Sequence, residues 1–258
     1  MRKRRLTLFV INTYVEESLA TLKLAATTPE IGWLREKLQQ EILKTPGPVM
    51  RIRTASEILR RYIVYDRTSR MVQKTPLATF VSSNIRRKSK IDGLYYRFSQ
   101  VHPIVPVVFR TLRAENVDEF SFNILSKILS VILSREINRG STALHSIVYA
   151  LRDFGLVEKI KPGQFRIVEK ILAPESFVFL LYTHFLSYNM VVPKTSEIKR
   201  FFKDLYNQKE NETERLLFSV PDGFWNLERH AHLDQVLLVY NHMDDFMKKF
   251  LEFYGNKK

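Results

Sequence analysis

The sequence predicts a mainly α, multi-helical protein with a central module in which two helices are followed by a β-hairpin. Apolar residues recur every three to four positions along most of the 258 residues, which is the spacing of a buried helix face. Residues 118–170 differ, because two helical patterns lead there into two short segments around Pro162-Gly163. A chain of this length forms one large or two small domains with an ample core.

The N-terminal part of the chain is expected to form a series of helices. Residues 13–26 form the first, and Thr28-Pro29-Glu30 supplies an N-cap, a first-turn proline and a favourable acid for the second. The second is expected to end in the rigid loop Thr45-Pro46-Gly47-Pro48. Thr54 and Glu57 have the spacing of a capping box, which predicts that the third helix starts there.

Arginines crowd this third helix and its flanks, and only Glu57 and Asp66 offset them. Guanidinium groups at this density, beside Ser and Thr hydroxyls, suit phosphate oxygens. The plainer alternative is a solvated helix face. The candidate phosphate ligands are Arg51, Arg53, Arg60, Arg61, Arg67 and Arg70.

A second basic cluster follows a helix predicted for residues 76–85. It is the densest basic run after the N-terminal Arg2-Lys3-Arg4-Arg5, and it predicts a phosphate clamp, a localisation signal or a solvated loop. The helix after it is expected to end at His102-Pro103, and residues 103–113 to pack under the central module. The candidate phosphate ligands of the run are Arg86, Arg87, Lys88 and Lys90.

The central module begins with a helix predicted from Glu119 to about Glu136. Asn138-Arg139-Gly140 breaks this helix, and Ser141 is a suitable N-cap for the next one. The second helix places Leu144, Ile147, Val148 and Leu151 on one face and polar side chains on the other. Phe154-Gly155 ends it, and residues 156–160 and 164–168 are expected to form a hairpin around Lys161-Pro162-Gly163.

This order of elements, with the run from Ala143 to Lys159 leading into a basic hairpin, resembles the winged-helix family. In such domains the second helix enters the major groove and the hairpin contacts the backbone. Many winged helices make protein contacts instead, so both uses of the module stay open here. The resemblance implies base-edge contacts from Thr142, His145, Ser146, Tyr149 and Arg152, and phosphate contacts from Lys159, Lys161 and Arg166.

Three further helices are expected after the module. The helix beginning at Ala173-Pro174-Glu175 is apolar nearly all round and therefore centrally buried, and another begins at Thr195-Ser196-Glu197. A long final helix is predicted from Leu233 to Phe253. Its aromatic stripe is expected to lie in the core or to form the seam of a homodimer.

The positive charge is concentrated at one end of the sequence. Residues 1–113 contain 22 Lys and Arg against 8 Asp and Glu, which accounts for the whole net charge of +14, whereas residues 114–258 contain 19 of each. A field this one-sided attracts polyanions. Double-stranded DNA is favoured over anionic lipid, because no strongly amphipathic terminal helix is apparent in the sequence.

Several classes of chemistry lack a signal in the sequence. The absence of cysteine excludes disulfides, thiol catalysis and cysteine zinc sites, and is compatible with a reducing cytoplasm. Neither a P-loop nor a dinucleotide-binding glycine pattern occurs, nor do paired carboxylates at nuclease spacing. His230 and His232 are interpreted as surface residues, because histidines two apart diverge on a helix. We therefore expect a protein that is not an enzyme and uses no cofactor or metal, and no membrane span is predicted.

Several further segments are similar in order and spacing to the BrxA family of phage-defence (BREX) systems. They are the early basic helix from Arg53 to Arg61, Leu94-Tyr95-Tyr96, residues 105–109, Phe154-Gly155-Leu156-Val157 and residues 167–175. Those proteins combine a basic helical region with a winged helix. The helices after about residue 190 exceed that pattern. The resemblance implies a DNA-binding accessory protein that associates with other subunits of a defence complex.

The sequence thus predicts three regions: a basic helical domain over residues 1–113, a winged-helix module over 114–172 and a helical region over 173–258. The expected function is non-enzymatic binding of duplex DNA, mainly through phosphates. Two alternatives remain open: an assembly protein that uses the winged helix for protein contacts, and a transcription regulator that recognises one defined site.

Overall fold

The computed structural model describes residues 10–27, 29–43, 48–219, 223–230 and 233–255. It is mainly helical, which confirms the predicted fold class at this level. The helices are α1 (Val15–Ala25), α2 (Ile31–Lys37), α3 (Pro48–Tyr62), α4 (Pro76–Ser82), α5 (Arg87–Val101), α6 (Ile104–Ala114), α7 (Phe122–Leu133), α8 (Thr142–Asp153), α9 (Pro174–Ser187), α10 (Thr195–Tyr206), α11 (Glu210–Ser219) and α12 (Met243–Phe250). π-Helical segments at Leu38–Ile42 and Leu251–Gly255 extend α2 and α12. The strands are β1 (Glu119–Ser121), β2 (Val157–Lys161), β3 (Gln164–Ile167), β4 (Trp225–His230) and β5 (Leu233–Leu238).

The chain forms two compact units, and each draws on three stretches of sequence. Of the described residues, unit 1 contains 10–13, 98–171 and 196–219, and unit 2 contains those within 14–97, 172–195 and 223–255. Each unit is described by itself below.

In unit 1, helices α6, α7 and α8 pack on one another, and α7 and α8 also pack on a three-stranded antiparallel sheet of order β1-β3-β2. Phe120 of β1 lies opposite Phe165 of β3, and their ring centroids are 5.7 Å apart on the buried face. Gly163 forms the hairpin turn with a φ of 74°, a conformation that costs glycine little. This unit therefore presents α8 and the β2–β3 hairpin as neighbouring elements.

In unit 2, α1 packs on α3 and α4, and α12 packs on α4 and α9. Aromatic side chains fill the core, with Phe80 stacked on Phe179 at 3.8 Å between ring centroids. Gly93 of α5 lies against Phe80, since a Cβ there would be 3.0 Å from the ring. Such filling explains why α9 is buried on almost every side, as its sequence predicts.

Two sequence-based boundaries are wrong near helix starts. Helix α3 begins at Pro48, so Thr54 lies buried inside the helix and does not cap it. Proline at a first helical position needs no hydrogen-bond partner, which makes Pro48 the better start. The helix predicted from Glu119 begins only at Phe122, because residues 119–121 pair with β3 as strand β1.

The predicted final helix from Leu233 is wrong in its first part. Residues 233–238 form β5, which pairs with β4, and the helix starts at Met243. The apolar residues fit both a helical spacing and the alternation of a strand, in which Val236 and Leu238 are buried. Pairing with β4 decides between the two. Some sequence-based predictions lie outside the described residues. They concern the basic N-terminus, Thr28, residues 44–47 and His232.

Candidate nucleic-acid interface

The outward face of α8 carries most of the predicted base-contacting residues. Leu144, Ile147, Val148 and Leu151 point into unit 1 and are fully buried, which confirms the predicted apolar face. Opposite to them, Thr142 and Arg152 are exposed and Tyr149 is 44% exposed. The Arg152 guanidinium lies 4.9 Å from the centre of the Tyr149 ring, a cation–π contact that orients it along the helix.

His145 belongs to the same face but has one side covered. Its ring stacks on Phe122 at 3.9 Å with an interplanar angle of 6°, and its Nε2 lies 3.3 Å from the carbonyl oxygen of Arg139. Phe122 in turn meets Phe165 of the hairpin at 5.2 Å. The aromatic contacts therefore connect α8 to β3 and fix the orientation of the His145 ring.

Ser146 does not belong to this accessible face, contrary to the sequence-based expectation. It is only 6% exposed, accepts a hydrogen bond of 3.0 Å from the Ile11 N–H and donates one of 2.7 Å to the Ala143 carbonyl. The segment before α1 covers it. No local pattern around Ser146 could have revealed this, because the covering residue lies 135 positions earlier.

The β2–β3 hairpin offers two accessible lysines and one neutralised arginine. Arg166 lies opposite both Glu119 and Glu158 in the sheet, with Nη2 2.6 Å and Nη1 3.4 Å from the two carboxylates. The hydrogen bonds that Arg166 donates to Glu119 raise the pKa of Arg166 further. Its predicted role as a phosphate ligand is weakened, because the trio carries a net negative charge. Lys159 and Lys161 are exposed and make no ion pair within the part of the chain that is described.

In unit 2, the arginines of α3 separate into exposed and buried side chains. Arg53 and Arg60 lie seven residues apart on one exposed face and make no ion pair with any described residue, and Arg51 is half-buried. Arg61 is only 2% exposed and pairs with Glu57, so it is not available to a phosphate and its predicted DNA contact is corrected. Burial raises the pKa of the adjacent Tyr62 to about 12.

The basic run before α5 is also divided. Arg86 donates two hydrogen bonds, of 2.7 and 2.8 Å, to the buried Glu175, and Arg87 pairs with Glu16. Burial opposes ionisation of Glu175, but the bonds from Arg86 and Ser89 hold the pKa of this carboxyl below its usual value. Arg86 and Arg87 therefore stabilise unit 2 and are poor candidates for a phosphate clamp.

The other candidates of unit 2 occupy two places. Lys88 is exposed, whereas Lys90 is half-buried and its pKa is lowered by burial and by the charge of Lys23. Arg67 and Arg70 lie on an exposed turn after α3 and make no ion pair with described residues. Together with Arg53 and Arg60, they are exposed candidates of unit 2 that make no ion pair with described residues.

The structure also adds residues that the sequence reasoning missed. Arg139 is exposed in the loop before α8, and Lys74 is exposed beyond Arg70. Val131 of α7 is 81% exposed although it belongs to an apolar helical pattern. The position of Arg139 two residues before the N-cap Ser141 was the available signal. Nothing in the sequence distinguishes Val131 from its buried neighbours.

Comparison with known proteins gives only a likeness of fold. No protein-family model matches the chain, and no curated protein matches it. A crystal structure of a protein named SspB is similar over 98% of this chain and 87% of that chain, with a TM-score of 0.55 and 11% sequence identity. No described helix is both long enough and apolar enough to cross a bilayer. No set of three or more His, Asp or Glu is arranged to hold a metal ion within the described ranges.

Proposed function

We propose that α7, α8 and the sheet β1-β3-β2 form a winged-helix module and that the protein binds double-stranded DNA without catalysing a reaction. The observation that carries the proposal is the outward face of α8, where Thr142, His145, Tyr149 and Arg152 lie beside the hairpin. A helix of this kind fits the major groove, in which every base pair presents a distinct pattern of donors and acceptors.

Within this module the residues have different roles. Thr142, His145 and Arg152 offer polar groups to base edges, and Tyr149 holds the Arg152 guanidinium in a defined direction. Lys159 and Lys161 contact phosphates, because they are the hairpin cations without a carboxylate partner in the described chain. Phosphate contacts fix the position of the helix, and base contacts supply whatever sequence preference exists.

In unit 2, Arg53 and Arg60 contribute phosphate contacts, and Arg67 and Arg70 offer further cations to the duplex. Their guanidinium groups are exposed and are not neutralised by described carboxylates. Each phosphate that they neutralise releases counterions from the DNA, which gives binding that is independent of sequence and sensitive to salt. The buried pair formed by Arg61 and the ion pairs of Arg86 and Arg87 reduce the number of cations that take part.

The test is a titration of labelled duplex, single-stranded DNA and RNA of equal length, followed by fluorescence anisotropy. Arg53→Glu combined with Arg60→Glu should weaken duplex binding at least about a hundredfold, since two ion contacts worth about 1.5–3 kcal/mol each are lost. Arg110→Glu combined with Arg200→Glu is the matched control, because both arginines are exposed, make no ion pair with described residues and are not among the proposed contacts. If the wild type binds single-stranded DNA or RNA as tightly as duplex, or if the variant binds duplex like the wild type, the proposal is refuted.

A specific observation favours the alternative of an assembly protein. Val131 and Ile124 are exposed on one face of α7, with Lys127 between them, and such side chains suit a protein partner. Under this alternative, Val131→Asp disrupts association and the arginine reversals leave DNA binding unchanged. A transcription regulator would instead protect one defined site in a footprint.

The proposal extends to phage defence through the resemblance to BrxA. An accessory DNA-binding protein of such a system should copurify with other subunits of the defence complex. Its deletion should lower protection of the host against phage, and the Arg53→Glu, Arg60→Glu variant should fail to restore that protection. If this variant gives full protection, the protein has no defence role that depends on DNA binding.

A further inference from the structure

Residues 64–74 form a basic finger on unit 2 that is exposed along nearly its whole length. Val64, Tyr65 and Met71 are large side chains with 39%, 39% and 45% exposure, and only Val72 is half-buried. The finger carries three cations and a single acid, Asp66. Residues 64–74 are called the finger below.

The finger is ordered by backbone hydrogen bonds in spite of its exposure. Its two sides are joined by bonds of 2.9 Å from the Asp66 N–H to the Met71 carbonyl and 2.8 Å from the Gln73 N–H to the Val64 carbonyl. Its base is attached to the segment before α2, since the Val72 N–H donates to the Pro29 carbonyl at 2.9 Å. These bonds pre-organise the backbone of the finger, which lowers the entropic cost of binding a partner.

The carboxylate of Asp66, the acid of the finger, accepts hydrogen bonds within the turn. Asp66 Oδ1 accepts bonds from the N–H groups of Ser69 and Thr68, at 2.7 and 2.8 Å, and from the Ser69 hydroxyl at 3.1 Å. The bonds from Ser69 contribute most to the lowered pKa of Asp66. Arg67, Arg70 and Lys74 are left without an ion pair among the described residues.

Arg70 adopts a left-handed backbone conformation with a φ of 61°, which is unusual for a side chain of this size. Its carbonyl accepts a 3.0 Å bond from the Ile31 N–H, so the attachment to the base of α2 holds the strained residue in place. Strained residues on exposed, rigid turns cluster at binding sites. Arg67 and Arg70 both belong to the exposed turn between Asp66 and Met71, at the tip of the finger.

We propose that the finger inserts Arg67 and Arg70 into the minor groove of DNA, an inference that rests on the proposed duplex binding. The minor groove is about 6 Å wide, too narrow for a helix but wide enough for single guanidinium groups. A·T-rich DNA narrows it further and concentrates negative potential there, which attracts arginine. The tip offers two such groups on a hydrogen-bonded turn and no helix, so it matches this groove.

This mode of binding predicts a preference for base pairs that lack the guanine amino group. In the minor groove, A·T pairs present only acceptors, whereas G·C pairs add the guanine N2 donor. Inosine–cytosine pairs resemble A·T in the minor groove and G·C in the major groove. A comparison of the three duplexes therefore separates reading by the finger from reading by α8.

The experiment measures the affinity of the full chain for A·T, G·C and I·C duplexes of equal length at one salt concentration. The wild type should bind A·T and I·C about equally, and at least about fivefold more tightly than G·C. Arg67→Ala combined with Arg70→Gly should remove this preference, and the glycine keeps the fold because it accepts the positive φ. Arg53→Ala combined with Arg60→Ala is the matched control and should weaken all three duplexes alike.

The possible failures are distinguishable. If I·C behaves like G·C, or if the finger variant keeps the preference, the minor-groove inference is overturned while duplex binding stands. If the wild type binds none of the duplexes, the proposed function falls and the inference with it. If the finger variant keeps the A·T preference but no longer binds an acidic protein partner, the finger binds that partner and the inference is overturned.

Discussion

Arg60 and Arg61 are neighbours in the sequence, yet they belong to different environments. Arg60 is exposed, whereas Arg61 is buried, pairs with Glu57 and accepts at its carbonyl a 3.2 Å bond from Arg97 Nε. Burying a guanidinium requires a partner, so Arg61 contributes to the stability of unit 2. The pair therefore offers a test of which arginines serve the fold and which serve a ligand.

Arg61→Ala should lower the free energy of unfolding by about 2 kcal/mol, because Glu57 loses a charged hydrogen bond and the buried stem of Arg61 leaves a gap. Chemical denaturation monitored by circular dichroism measures this change. Arg60→Ala should alter stability by less than about 0.5 kcal/mol. For DNA affinity we expect the opposite, namely that Arg60→Ala has the larger effect. An Arg60→Ala variant that binds duplex like the wild type would contradict the assignment of Arg60 to DNA binding.

His184 gives the molecule an expected dependence of stability on pH. Burial lowers the pKa of His184 to about 4 from an ordinary value of 6.5, and Tyr96 Oη lies 3.2 Å from its Nδ1. The unfolded chain therefore takes up a proton below pH 6.5 that the folded chain takes up only near pH 4. The contribution of His184 to the free energy of unfolding is therefore fully present above pH 6.5 and is lost as the pH falls towards 4.

The loss should amount to roughly 2 kcal/mol, allowing for the partial exposure of His184. Thermal unfolding of the wild type should shift to lower temperature between pH 7 and pH 4.5. His184→Gln cannot titrate, so its unfolding temperature should change less over this interval. Parallel shifts in the two proteins would show that other groups cause the pH dependence.

At the scale of elements, the β2–β3 hairpin tests whether local neutralisation decides which cations meet DNA. Lys159→Ala combined with Lys161→Ala should reduce the slope of log affinity against log salt by about two, since each removes one phosphate contact. Anisotropy titrations at several salt concentrations measure this slope. Arg166→Ala removes the same type of charge from the same hairpin and is the control.

The Arg166→Ala variant should leave the slope nearly unchanged, because Glu119 and Glu158 already occupy the guanidinium. A decrease of about one in its slope would mean that Arg166 exchanges its carboxylates for a phosphate on binding. That result would return Arg166 to the set of DNA contacts.

The elements that sequence analysis predicted well are those whose signals are local. The β2–β3 hairpin follows from its Pro-Gly turn, and α9 follows from an apolar surface on almost every side. β5 was missed because its partner strand decides its conformation. Arg86 was misjudged because Glu175 lies 89 positions away, and a charge run cannot reveal a distant acid that pairs with it. The candidate site was thus predictable as a set of residue types, but not in its accessible members.

At the scale of the whole molecule, the excess of positive charge is larger than the number of cations available to a ligand. The net charge is +14, all of it before residue 114. Ion pairs with described acids engage Arg61, Arg86 and Arg87. Such pairs leave the long-range field in place, because the net charge is unchanged, while fewer side chains contact phosphates directly. The field steers association, and the direct contacts determine the salt dependence.

The expected salt dependence follows from this division. If about six phosphates are engaged by the exposed side chains of both units, affinity for duplex should fall roughly a thousandfold between 50 and 200 mM salt. Titrations at fixed temperature in potassium chloride measure the slope, and the Arg53→Glu, Arg60→Glu variant should show a shallower one. A binding curve that does not respond to salt would contradict phosphate-dominated recognition, because release of counterions cannot then drive the complex.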